Sequence, residues 1–175
     1  ISYMLDIAQQ ISSTILVVVS DEEQEEKLKP LVHTGQIVTD PEGEPKCALN
    51  GALSAFEHTE TSHTLLLPVD TTLVQPDLPK MLIRLSPGHG AVVPSWPSGY
   101  IEPLHSVYLA EHAYVLGLDV MEKGLLRMSD LLDRLQNVLY VSTETLNQFD
   151  PELNSFMNFN TPHELKDAER KLKHK

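Results

Sequence analysis

The chain reads as an α/β protein of three layers, with helices on both faces of a mostly parallel central sheet. Three observations predict this. The run Thr14-Ile15-Leu16-Val17-Val18-Val19-Ser20 is apolar without alternation and rich in β-branched residues, as a strand buried on both faces requires. Strand-like runs then alternate with segments of helical periodicity. The first three of these runs finish at an aspartate, Asp21, Asp40 and Asp70, and a parallel sheet brings such strand ends to one edge.

Taken in order, Ile1, Met4, Leu5, Ala8 and Ile11 recur at helical spacing, so the sequence opens inside or at the edge of an amphipathic helix. The first strand follows, and a helix is expected from about Asp21 to Val32. Its acidic start, Asp21-Glu22-Glu23-Gln24-Glu25-Glu26, suits the positive end of a helix dipole. Gln36–Asp40 is a second strand, Pro41–Pro45 a loop, and Ala48–Glu57 a helix. Thr64-Leu65-Leu66-Leu67-Pro68-Val69-Asp70 is a third strand, followed by a helix within Pro76–Leu85. Ala91–Pro94 is a fourth strand, and Pro94–Pro103 is loop-like. Leu104–Tyr108 is extended, helical patterns cover about Leu109–Leu118 and Met128–Leu135, and Val138–Val141 is a late strand. Thr161, Pro162 and Glu164 fall at N-cap, N1 and N3, a capping box that starts a last helix. No repeat or domain boundary interrupts residues 1–175, which read as one domain.

Composition excludes several functions. A formal net charge of -12 argues against general nucleic-acid binding, which needs clustered Lys and Arg. A polyanionic ligand would require a metal ion or a local cation to offset that field. The single cysteine, Cys47, excludes an internal disulfide framework and fits a reducing, cytoplasmic setting. No apolar run approaches the roughly 20 residues of a membrane span, and no signal peptide is visible. The scattered histidines lack zinc-ligand spacing, and no serine-centred nucleophile motif is present.

What remains is carboxylate and amide chemistry. Strand-end aspartates can hold Mg²⁺, whose hard charge bridges phosphates. Asp21, Asp40 and Asp70 are therefore the nucleotide-side candidates. Aspartate is also a favoured N-cap, and at Asp21 that is the stronger reading. Asn158 and Asn160, spaced by two before the last helix, would face the same way on an extended segment and could meet one ligand. Turn asparagines bonding their own backbone are the alternative.

The words Pro68-Val69-Asp70, Glu102-Pro103-Leu104-His105-Ser106-Val107-Tyr108 and Asn158-Phe159-Asn160-Thr161-Pro162 occur in this order with helical patterns between them. Together they resemble the molybdenum cofactor guanylyltransferases, the MobA-like nucleotidyltransferases, over nearly the whole chain. The resemblance implies a Rossmann-like nucleotidyltransferase (GT-A-like) fold and an enzyme that transfers GMP from GTP to molybdopterin. It implies that Asp70 is the catalytic, Mg²⁺-binding aspartate and that Asp40 lies over the nucleotide. It also implies that Glu102, Pro103, Leu104, His105, Asn158 and Asn160 line the molybdopterin side. Transient contact with other proteins that handle the cofactor follows from the same likeness. Thr72 stands where the family usually has proline, and Lys46-Cys47-Ala48-Leu49-Asn50-Gly51 matches the family's glycine-proline-leucine stretch only at Leu49 and Gly51. Lys46 could offer charge to a triphosphate, although an exposed lysine is the plainer reading. His105 reads as a positioned or structural imidazole rather than a general base.

The family's glycine-rich nucleotide loop, with its arginine and lysine, has no counterpart in these residues. The resemblance places it, with a first strand, just upstream of Ile1. Two alternatives stay open: a nucleotidyltransferase acting on another acceptor, such as a sugar phosphate, and a non-catalytic binding relative.

Overall fold

The alternation read from the sequence is realised in a computed structural model, which describes residues 1–71 and 73–159. The order is α1 (Ser2–Gln9), β1 (Leu16–Val19), α2 (Glu22–Leu28), β2 (Gln36–Thr39), α3 (Ala48–Glu57), β3 (His63–Leu65) and α4 (Asp77–Leu85). Then come β4 (Ala91–Ser95), β5 (Val107–Leu109), α5 (Ala110–Glu122), α6 (Met128–Leu132), β6 (Val138–Ser142), α7 (Thr143–Leu146) and a 3₁₀ turn, Asn154–Phe156. The helix expected from Thr161, and Asn160 before it, lie outside the described residues.

Local chemistry sets the boundaries. Asp21 caps α2 by accepting the Gln24 N–H at 2.9 Å, and Glu22, Glu23 and Glu25 occupy the first turn. The helix ends at Leu28 rather than Val32: Lys29 keeps helical backbone, but Pro30 has no N–H to donate, and the chain closes with turn bonds from the Leu31 and Val32 N–H groups to the Leu28 carbonyl. α3 has the span its periodicity predicts. β3 is shorter than expected. Its ladder to β5 ends at Leu65, one further bond joins the Leu66 N–H to the Ser106 carbonyl, and Pro68 has no N–H to offer. α7 and the 3₁₀ turn escaped the sequence reading because both are too short to show a period.

β1 and β2 pair in parallel as one ladder. The other four strands run in the order β3-β5-β4-β6, with β4 parallel to β6 and β5 antiparallel to both of its neighbours. Within this sheet β3, β4 and β6 therefore point one way and β5 the other. Alternating residues supply its two faces. Ala91, Val93 and Tyr108 pack with Leu49, Leu53 and Phe56 of α3, Ala113 of α5 and Leu131 of α6. Val92, Val107 and Val141 pack with Leu78 and Leu82 of α4 and Leu146 of α7. Each fully buried leucine here contributes about 1.5–3 kcal/mol. The α3–α5 crossing is close: a Cβ at Gly117 would stand 2.3 Å from Leu53 Cδ2. α1 folds over β1, with Leu5 against Val17 and Val19.

The two ladders do not join. Between them lies a cavity of about 780 Å³, lined by Ile15–Val18 on one side and His63–Pro68 on the other, with α1 and α3 residues closing it. Among the described residues, β1 pairs only with β2 and β3 only with β5. The cavity thus runs between two strand edges.

Candidate functional site

The strand-end aspartates occupy two different environments. Asp21 and Asp40 border one cavity of about 660 Å³, together with Thr39, Glu42, Lys46 and Asn50. Asp21 is fully engaged there. Besides capping α2 it accepts the Ser20 hydroxyl at 3.1 Å and the Lys46 ammonium at 2.6 Å. The hydrogen bond from Lys46, followed by the one from the Gln24 N–H, lowers its pKa to about 2. Lys46 is raised in turn by Asp21. Asp40 closes β2: its N–H donates to the Val19 carbonyl at 2.8 Å, and its carboxylate accepts the Ser54 hydroxyl of α3 at 2.6 Å. Lys46 is the one cation among the described residues around this cavity, against Asp21, Glu22, Glu23, Glu25, Asp40, Glu42 and Glu44. Such a surface suits the uncharged parts of a nucleotide better than its phosphates.

Asp70 lies elsewhere, on the turn that follows β3. It is half-buried, and no hydrogen bond or ion pair engages its carboxylate among the described residues. Its backbone, by contrast, is held. The Phe159 N–H donates to the Asp70 carbonyl at 2.9 Å, so the exposed Asn158 stands beside this turn. The next residue, Thr71, is wholly buried and donates its hydroxyl to the Pro68 carbonyl at 2.9 Å.

The segment Glu102–Tyr108 packs behind this turn. His105 is 3 % exposed, with Nε2 3.2 Å from Thr71 Oγ1 and Nδ1 3.7 Å from Glu102 Oε2. Glu102 accepts the Trp96 indole N–H at 2.8 Å. Phe156 sets its ring edge-on against both His105 and Trp96, at centroid distances of 5.2 and 5.8 Å. The Pro103 carbonyl accepts the Tyr108 hydroxyl at 2.7 Å, and burial pushes that phenol far above its ordinary pKa. Leu104 packs against the core. Of the residues expected on the acceptor side, Asn158 is open to solvent, whereas His105 and Leu104 point inward.

A hard cation that bridges phosphates needs one or two carboxylates with free lone pairs, water and phosphate supplying the rest. Asp70 fits that demand. No group of three His, Cys, Asp or Glu side chains forms a closed cage among the described residues. Thr71, Trp96, Ser54 and Phe156 belong to these networks but were not singled out by sequence. Thr71 follows the candidate aspartate directly, which is the one signal that pointed to it. Ser54 and Trp96 reach their partners only through the fold.

The sequence profile of the MobA-like NTP transferase domain matches residues 1–138. A probable molybdenum cofactor guanylyltransferase of Methanosarcina mazei is 25% identical over 171 residues, covering 93% of this chain and 74% of its own length. One of Methanothermobacter thermautotrophicus is 29% identical over 161 residues, covering 88% and 77%. Among solved structures, molybdopterin-guanine dinucleotide biosynthesis protein A from Archaeoglobus fulgidus superposes with a TM-score of 0.78 at 28% identity, over 98% of this chain and 86% of that one. A 4-diphosphocytidyl-2C-methyl-D-erythritol synthase from Anaerococcus prevotii shares the fold, with a TM-score of 0.71 at 11% identity over 98% and 85%.

Proposed function

The chain belongs to the MobA-like NTP transferase family, and on that footing we propose that it transfers GMP from GTP to molybdopterin, releasing pyrophosphate. A phosphate oxygen of the acceptor attacks the α-phosphorus. The new P–O bond forms as the bond to the pyrophosphate oxygen breaks. The attacking group is already an anion, so the step asks for alignment and charge stabilisation more than for a general base.

Asp70 carries the proposal: a half-buried carboxylate without a partner among the described residues, on a turn tied down from both sides. It would hold Mg²⁺, which when bound neutralises charge developing on the phosphates. Asp40, fixed by Ser54, would border the nucleoside, and Asn158 would offer its amide to the pterin. With no helix among the described residues long and apolar enough to cross a membrane, a cytoplasmic setting is part of the proposal, supported by the single cysteine.

The acidic cavity at Asp21 and Asp40 cannot by itself cradle a triphosphate, which needs backbone N–H groups or cations. We propose that one further extended segment, from upstream of Ile1, lies in the cavity between β1 and β3 and brings such a loop with it. A strand of about six residues at ~3.3 Å each would satisfy both facing edges.

The test is calorimetric titration of Mg²⁺-GTP, with ATP as control, into protein carrying its upstream residues. Selective GTP binding followed by formation of molybdopterin guanine dinucleotide is the expected result. Binding of neither nucleotide would place the chain with non-catalytic relatives. Transfer to a different phosphorylated acceptor would change the substrate and keep the chemistry.

A further inference from the structure

We propose that His105 is the positioning residue of the Asp70 turn, acting through the Thr71 hydroxyl and held in place by Phe156, and that its imidazole never touches the substrates. This rests on the reading of Asp70 given above.

The hydrogen-bond inventory assigns the direction of the chain of contacts. Thr71 has one hydroxyl hydrogen and spends it on the Pro68 carbonyl. Its oxygen can therefore only accept from His105, so Nε2 carries a proton. That bond fastens the turn from Pro68 to Thr71, with Asp70 inside it, to the Glu102–Tyr108 segment. On the far side of the ring, Nδ1 is buried without a hydrogen bond and looks onto Glu102 Oε2 at 3.7 Å. The other Glu102 oxygen is fixed by the Trp96 indole. Phe156 closes the edge of the ring. The imidazole cannot swing toward solvent without breaking these contacts.

The segment that holds Phe156 is itself anchored to the loop after Asp70. Ser155 Oγ accepts the Gln75 N–H at 2.9 Å, and the Ser155 N–H donates to the buried Asp150 carboxylate at 2.6 Å. With the Phe159 bond to the Asp70 carbonyl, the turn has two independent anchors, one side-chain and one main-chain. The side-chain anchor is the one a substitution can remove cleanly. A displacement of about 1 Å at a catalytic group can cost up to 10²-fold in rate.

The experiment compares His105→Leu, which loses the donor, with His105→Gln, whose amide can still donate near the Nε2 position. Thr71→Val and Thr71→Ser repeat the comparison from the acceptor side, so the outcome does not hang on one variant folding. Single-turnover GMP transfer, Mn²⁺ affinity of the GTP complex by electron paramagnetic resonance, and amide exchange over residues 68–71 are measured in full-length protein. We expect His105→Leu and Thr71→Val each to lower transfer about tenfold, weaken Mn²⁺ severalfold and speed exchange at the turn. The Gln and Ser variants should recover most of all three, and the Leu/Val double variant should be no worse than either single one. Equal behaviour of Leu and Gln, or slower transfer with unchanged Mn²⁺ affinity and exchange, would overturn the proposal. If the unsubstituted protein transfers no GMP, the functional reading fails. The exchange comparison then still decides whether His105 holds the turn.

Discussion

Asp21 and Asp70 both follow a strand of the same α/β fold, Asp21 just after β1 and Asp70 on the turn beyond β3, yet their surroundings differ in kind. Asp21 is half-buried, as Asp70 is, but its oxygens are used by Gln24, Ser20 and Lys46. Those contacts explain the residue completely as a helix cap. Asp70 has its backbone held and no side-chain partner among the described residues, while a buried network packs behind its turn. Under the proposal, a carboxylate whose position is fixed and whose oxygens have no partner among the described residues is the one available to a ligand. Both were expected at a strand end from sequence, so the distinction comes from what consumes the oxygens.

The comparison breaks most visibly at Asp70. Asp70→Asn keeps the shape and removes the charge, and should cut GMP transfer by about 10²-fold or more, the scale of losing one preorganised electrostatic group. Its melting temperature should stay within about 2 °C of the parent, as for a surface change.

Tyr108→Phe probes the scaffold behind the turn. Removing the hydroxyl leaves the half-buried Pro103 carbonyl without its donor, at a cost of about 1 kcal/mol and a few degrees in Tm by calorimetry. Transfer should fall no more than about fivefold, because the Thr71–His105 tie persists.

Asp40→Asn tests the other cavity. It should raise KM for GTP about threefold with kcat nearly unchanged, as expected of a group that contributes equally to ground and transition states. A kcat loss as large as that of Asp70→Asn would erase the distinction between the two regions.

Asp21→Ala should have the smallest effect: a melting temperature a few degrees lower and normal transfer. The pH dependence has a definite sign. A carboxylate depressed from 3.8 to about 2 in the folded state stabilises the protein above pH 3.8, and that contribution is lost as pH falls toward 2. Acid melting curves of parent and variant should therefore converge below about pH 2, and added salt should narrow their gap at neutral pH.

Much of the fold was legible because hydrophobic periodicity is a local property. β1, α3 and β4 follow from their own residues, and the acidic run after Asp21 marks the start of α2. The break between the ladders was legible only through the resemblance, which places a first strand upstream of Ile1; no local pattern shows it, since pairing is decided by residues far apart in sequence. The site divides likewise. Asp70, Asp40 and Glu102–His105 could be named from short words in the sequence. Nothing local showed that His105 would be buried against Thr71, that Ser54 of α3 would hold Asp40, or that Trp96 would fix Glu102. Those contacts join residues brought together only by the sheet order β3-β5-β4-β6 and the C-terminal segment.

The most direct measurement is single-turnover GMP transfer by Asp70→Asn beside Asp40→Asn in the full-length protein, at saturating GTP and molybdopterin. A loss of about 10²-fold or more is expected in the first and less than threefold in the second. Transfer that survives in Asp70→Asn and collapses in Asp40→Asn would overturn the assignment of Asp70 as the metal-binding carboxylate.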